Sequence, residues 1–239
     1  MDDFGRIVYL DVEKTGSSFI SKFLQDNMTC QRVEKVKHGR VGSDFKKGSF
    51  YFISVRNPLS QYLSLYSYGC EGKGAIFESL KNSGHTQLYQ PDKQSFQHWL
   101  RFVLSAENAG YLGADYQSVD TELMGLQTFR FLALSFQKPL AKLKPLHDYA
   151  TLCRLYEKKK IHSQVVRNES LRADMETLVE THLSSFVDVE SAKRYLEKSP
   201  PINRSPKLGF NIESIDEEAM SLIRRKERFL LERFYPEDL

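Results

Sequence analysis

The sequence is short of residues that cross-link or chelate. Its 239 residues include three cysteines, Cys30, Cys70 and Cys153, far apart and odd in number, with no C-x-x-C pair. That argues against a disulfide framework or a zinc cluster and for a reducing compartment. The six histidines show no H-E-x-x-H or comparable spacing, so no metal is expected. No stretch approaches the roughly 18 consecutive apolar residues of a membrane span. The opening "MDDFGRIVYLDV" has acidic residues where a secretory signal needs basic ones. A soluble, cytoplasmic protein is expected. Net charge is only +3, too weak to imply nucleic acid as a partner, though compatible with an anionic ligand. Internal repeats and low-complexity tracts are also missing.

What is present suits a globular α/β domain. Hydrophobic residues make up 41% of the chain and aromatics 12%, enough for a substantial core. "RIVYLDV" (6–12) reads as a buried strand, and Phe19, Ile20, Phe23 and Leu24 then recur at helical spacing. "SFYFISV" (49–55) reads as a second buried strand. Arg56 ends it, and Asn57-Pro58 reads as an N-cap with proline in the first turn of a helix carrying Leu59, Tyr62, Leu63 and Tyr66. Residues 69–91 are polar and read as a long loop. Helices are expected over 96–104 and 122–134, then a strand in "HSQVVRNESL" and a helix from Leu171. "SPPINRSPKLGF" (199–210) reads as a basic, proline-broken loop. Ser214-x-x-Glu217 reads as a capping box opening a last helix. Strands alternating with helices predict a mostly parallel sheet covered on both faces.

Two places carry chemistry. After the first strand, Lys14, Thr15, Gly16, Ser17 and Ser18 gather a cation, three hydroxyls and backbone N–H donors at a helix start. That composition suits a phosphate or sulfate group. It also suits an ordinary helix cap, and Lys14 precedes the glycine where a Walker loop places its lysine after it. After the second strand come Arg56 and, eight residues on, Ser64; eight residues span about two helical turns. A guanidinium and a hydroxyl on one side would cradle a second phosphate. The alternative is a surface ion pair and a solvated serine.

Taken together, "VEKTGSSFI" and "ISVRNPLSQYLSLYSYG" resemble the paired signatures of sulfotransferases that use 3′-phosphoadenosine 5′-phosphosulfate (PAPS). The wording of the second is similar to the carbohydrate-sulfating branch. "KHGRV" (37–41) resembles that branch's base-bearing stretch, with Lys37 and His38 matching and Arg40 standing where relatives have a second histidine. "VVRNESL" resembles its R-x-E-x-L stretch, and "INRSPK" (202–207) its Asn-x-Ser-x-Lys loop. The resemblance implies a P-loop-like sulfotransferase fold over 1–239 as a single domain, with an acceptor-binding insertion at about 70–160. It implies Lys14 and His38 as catalytic residues. It also implies Lys14, Thr15, Gly16, Ser17, Ser18, Arg56, Ser64, Asn203, Ser205 and Lys207 as binding residues for PAPS, with no metal. The acceptor it implies is a hydroxyl, that of a glycan.

The resemblance also implies a mechanism. Sulfuryl transfer resembles phosphoryl transfer, with charge building on the leaving oxygen. Lys14 would neutralise that charge, and His38 would take the acceptor proton, with Glu13 as a rival base. Two other readings remain at this level: a P-loop kinase or phosphotransferase, and a non-catalytic anion- or glycan-binding module. "EKKK" (157–160) and "RRKER" (224–228) read as solvated helix faces, and Trp99 as core.

Overall fold

A computed structural model describes residues 1–42, 45–200, 208–210 and 215–238. The chain forms two compact units interleaved in sequence. One comprises 1–56, 131–139 and 156–204, and the other the remaining segments.

The first unit holds a five-stranded sheet in the order β3-β1-β2-β4-β5. Its strands are β1 (Asp2–Asp3), β2 (Ile7–Leu10), β3 (Glu34–Lys35), β4 (Phe50–Val55) and β5 (Gln164–Arg167). β2, β4 and β5 run parallel. β1 adds antiparallel to β2, and β3 to β1. The sheet is thus parallel at its centre, and its antiparallel edge is made of two short strands too polar to read as strands in the sequence. Buried apolar runs make the central strands, as expected of strands covered on both faces. Ile7, Tyr9, Phe52 and Val166 face one way and pack with Phe19, Ile20, Phe23 and Leu24 of helix α1 (Ser17–Asn27). Met175 and Leu178 of helix Leu171–Leu178 and Leu196 of helix Val189–Lys198 complete that core. On the opposite face Val8, Leu10, Ile53 and Val55 are buried as well.

The second unit is helical. It opens with α2 (Pro58–Cys70), whose cap is as the sequence predicts: Asn57 Oδ1 accepts from the N–H groups of Leu59 and Ser60. Tyr62, Tyr66, Phe96 and the fully buried Trp99 form an aromatic core against helix Lys93–Leu104.

Three sequence expectations are corrected in this unit. The polar stretch 69–91 is not all loop, because a helix spans Ala75–Asn82, with Ile76 and Leu80 buried one turn apart. The last helix begins at Glu217 and is capped by Asp216, which accepts from Ala219 N–H; Ser214 lies outside the described residues. It also breaks into Glu217–Lys226 and Arg228–Phe234. At that break "RRKER" is not a solvated face, since Lys226 and Glu227 are buried.

In the first unit the buried His162 ring lies near the Phe131 and Tyr156 rings and hydrogen-bonds Tyr156 at 3.2 Å. Burial, aided by the nearby Lys160 charge, pushes its pKa down to about 3. The folded state therefore keeps His162 neutral while the unfolded chain takes a proton below about pH 6.5. Stability from this site is intact above pH 6.5 and is lost as pH falls from there toward 3. Between pH 7 and 5 the loss should be on the order of 2 kcal/mol. Urea unfolding should show the wild type losing that much more than His162→Gln over this range; equal slopes would contradict it.

Candidate functional site

β2 and β4 are parallel neighbours, Leu10 at the end of β2 pairing with Ile53, two residues before the end of β4. Their carboxyl ends therefore deliver the 11–16 loop and Arg56 to the same edge of the sheet, the usual place for ligands in open α/β sheets.

The loop has an unusual backbone. Lys14 has φ of 63° and Gly16 of 86°, both left-handed. A lysine with positive φ is strained, and buried hydrogen bonds hold it there. Thr15 is fully buried and donates its hydroxyl proton to Val12 O at 2.7 Å. Thr15 Oγ1 must then accept from Ser54 of β4, and Ser54 in turn from Tyr9 of β2. One directional chain, Tyr9 to Ser54 to Thr15 to Val12, thus stitches the loop to both strands. Burial holds the Tyr9 phenol well above its ordinary pKa, so it keeps the proton this chain needs. The Thr15 hydroxyl is committed inward, which leaves the residue's backbone as its face toward a ligand.

Gly16 precedes α1 and supplies no side-chain cap. A Cβ there would lie 2.8 Å from Asn168 Nδ2 and 3.1 Å from Leu171 Cδ2. The first turn of α1 carries no acidic residue. Phe19 and Ile20 N–H already donate to Gly16 O, at 3.0 and 3.2 Å, and the helix dipole favours an anion at this end. Ser17 is half-buried and Ser18 exposed.

Arg56, half-buried, donates from Nη1 to Lys14 O at 3.3 Å. The guanidinium therefore reaches the Lys14 backbone. His38 is anchored as tightly. Its N–H donates to both Asp11 carboxylate oxygens at 3.0 Å, and its φ is 54°. Its Nδ1 lies 2.7 Å from Asp11 O. A carbonyl can only accept, so Nδ1 carries a proton, and in the neutral ring the lone pair is then at Nε2. Asp11 also takes the Met1 amino group. It stands three residues before Lys14, so at most about 11 Å of extended chain separates the anchor of His38 from Lys14.

Lys14, Thr15, Gly16, Ser17, Ser18 and Arg56 are thus brought to one sheet edge, and His38 is tied to the same loop. Glu13 is half-buried beside Lys14; Lys37 and Arg40 are exposed. Ser64 lies on α2 in the second unit, 5% exposed, so it is not the solvated serine of the alternative reading. Asn203, Ser205 and Lys207 lie outside the described residues. Sequence reasoning missed Asp11, Ser54 and Asn168. Nothing in the local pattern marks them, because their partners are distant in the chain.

The strained loop yields a stability test. Gly16→Ala should cost about 1–3 kcal/mol, from the left-handed backbone and the Asn168 clash. Thr15→Val should cost about 1–2 kcal/mol by leaving Ser54 without its acceptor. Unchanged denaturant midpoints in both variants would contradict the stitching described.

Among the described residues no helix is long and apolar enough to cross a membrane, and no group of three or more His, Cys, Asp or Glu side chains could hold a metal ion. No curated protein matches the chain, and no solved structure does. A family model described as "Sulfotransferase family" matches residues 1–239, the whole chain. The chain therefore belongs to the sulfotransferase family.

Proposed function

We propose that this sulfotransferase takes its sulfuryl group from PAPS and delivers it to a hydroxyl of a carbohydrate. The observation that carries the reading is the bond from Arg56 to the Lys14 carbonyl, which sets a guanidinium against the anion loop. The loop fits a nucleotide's phosphate. Its helix start lacks acidic residues, and Gly16 lets the backbone pack against Asn168 and Leu171, where a Cβ would clash. PAPS, when bound, supplies the sulfuryl group.

This chain's residues divide the remaining work. The N–H groups at residues 15–18 and the Ser17 and Ser18 hydroxyls hold the 5′-phosphate. Arg56 and Ser64 hold the 3′-phosphate, and Asn203, Ser205 and Lys207 close over the nucleotide. The Lys14 ammonium neutralises charge developing on the leaving oxygen. His38 takes the acceptor proton at Nε2, its ring held in that tautomer by the Asp11 carbonyl. That orientation favours His38 over Glu13. No step calls for a metal.

A carbohydrate acceptor is supported by the "RNPLSQYLSLY" wording of the second motif, and segment 70–160 is where we assign acceptor binding. The cysteines are free, in keeping with a cytoplasmic setting.

A sulfate-transfer screen with labelled PAPS, across glycans and small alcohols, tests the reaction. Lys14→Ala should lower kcat by roughly 100- to 1000-fold, and His38→Ala by roughly 100- to 10,000-fold. Affinity for 3′,5′-adenosine bisphosphate should change little in His38→Ala and should fall in Lys14→Ala, since the leaving oxygen belongs to that product's 5′-phosphate. Calorimetry showing ATP with magnesium preferred over the bisphosphate would overturn the reading.

A further inference from the structure

Glu227 is a carboxylate at 0% exposure within a run of charged residues. Its four acceptor sites are all filled. Oε1 accepts from the Tyr62 hydroxyl and from Gln127 N–H at 3.1 Å. Oε2 accepts from Thr128 N–H and the Thr128 hydroxyl, each at 2.7 Å. Burial pushes the Glu227 pKa up, and the four hydrogen bonds oppose that rise. An ionised group taken out of water is costly unless it is fully hydrogen-bonded, and this one is.

The surroundings are built around it. A Cβ on Gly125 would lie 2.2 Å from Oε1, and Gly125 N–H donates to Lys226 O. Lys226, buried as well, turns its ammonium away to Thr121 O and Glu122. Glu227 is thus compensated by donors, two of them at the start of helix Leu126–Ser135, where a negative charge is favoured.

The fourth donor is on α2. Tyr62 stands two residues before Ser64, about 200° around the helix. The carboxylate therefore grips one side of α2 while Ser64 faces the other. A second tie holds the start of the helix: Asn57, its cap, donates from Nδ2 to Asp238 at 2.8 Å. Both ties come from the C-terminal segment of the second unit.

We infer that Glu227 is a positioning residue for the donor nucleotide: through the Tyr62 hydroxyl it fixes the rotation of α2 and so the presentation of Ser64 to the 3′-phosphate. The inference rests on the assignment of Ser64 to that phosphate. Glu227 touches no reacting atom, and its effect is on affinity and nucleotide selectivity.

Calorimetry with two probes separates this role from general packing. 3′,5′-Adenosine bisphosphate carries the 3′-phosphate; adenosine 5′-monophosphate lacks it. Tyr62→Phe removes the hydroxyl and leaves three donors on the carboxylate. It should weaken the bisphosphate about fivefold, roughly 1 kcal/mol, and leave the monophosphate unchanged. Glu227→Gln sets an amide against donors and should do so more strongly. If Glu227→Gln does not fold, Tyr62→Phe decides. Equal weakening of both nucleotides, or no change in either, overturns the inference. A wild-type protein that does not prefer the bisphosphate instead overturns the functional reading, and this inference with it.

Discussion

The site depends on how the 11–16 loop is fastened to β4. Two bonds cross between them, one from Ser54 to Thr15 and one from Arg56 to the Lys14 carbonyl. Without them, a lysine in a left-handed conformation would relax, since that backbone costs free energy which only surrounding contacts can supply. With them, the loop stays open at the start of α1. A helix start whose first turn carries no acidic residue favours an anion. Rigid strands set its position, and the buried hydroxyl chain from Tyr9 sets its shape.

The same loop orders the candidate base. Asp11 lies between the last residue of β2 and the anion loop, and His38 is held to it by both backbone and ring. His38 and the 11–16 loop are thus tied together at Asp11, across 27 residues of chain. The Asp11 carbonyl lies 2.7 Å from Nδ1 and an Asp11 carboxylate oxygen 3.4 Å from the same atom, which fixes the ring's orientation. This gives physical content to a histidine that the sequence alone shows only as one member of a basic run.

Much of the frame was legible in the sequence because apolar runs and turn chemistry report directly on local structure. Val8, Tyr9 and Leu10 in one strand, Phe52 and Ile53 in the other, and Asn57-Pro58 at a helix start each carry their signal within a few residues. Other features depend on tertiary partners and carry no such signal. Helix Ala75–Asn82 buries only Ile76 and Leu80, too sparse a stripe to stand out in a polar stretch. Asp216 caps the later helix, a position that the capping-box pattern does not single out. Lys226 and Glu227 look like surface charge because their donors and acceptors lie about a hundred residues away, in 121–128. The same holds for Asp11 and His38, separated by 27 residues. Local patterns thus point to the candidate site residues better than to the residues that hold them.

The central claim is that one doubly phosphorylated adenosine is held by the loop at one end and by Arg56 at the other. A crystal structure with 3′,5′-adenosine bisphosphate tests it most directly. The account predicts the 5′-phosphate on the first-turn N–H groups of α1 and the 3′-phosphate within hydrogen-bond distance of the Arg56 guanidinium. A nucleotide whose phosphates touch neither the loop nor Arg56 would contradict it.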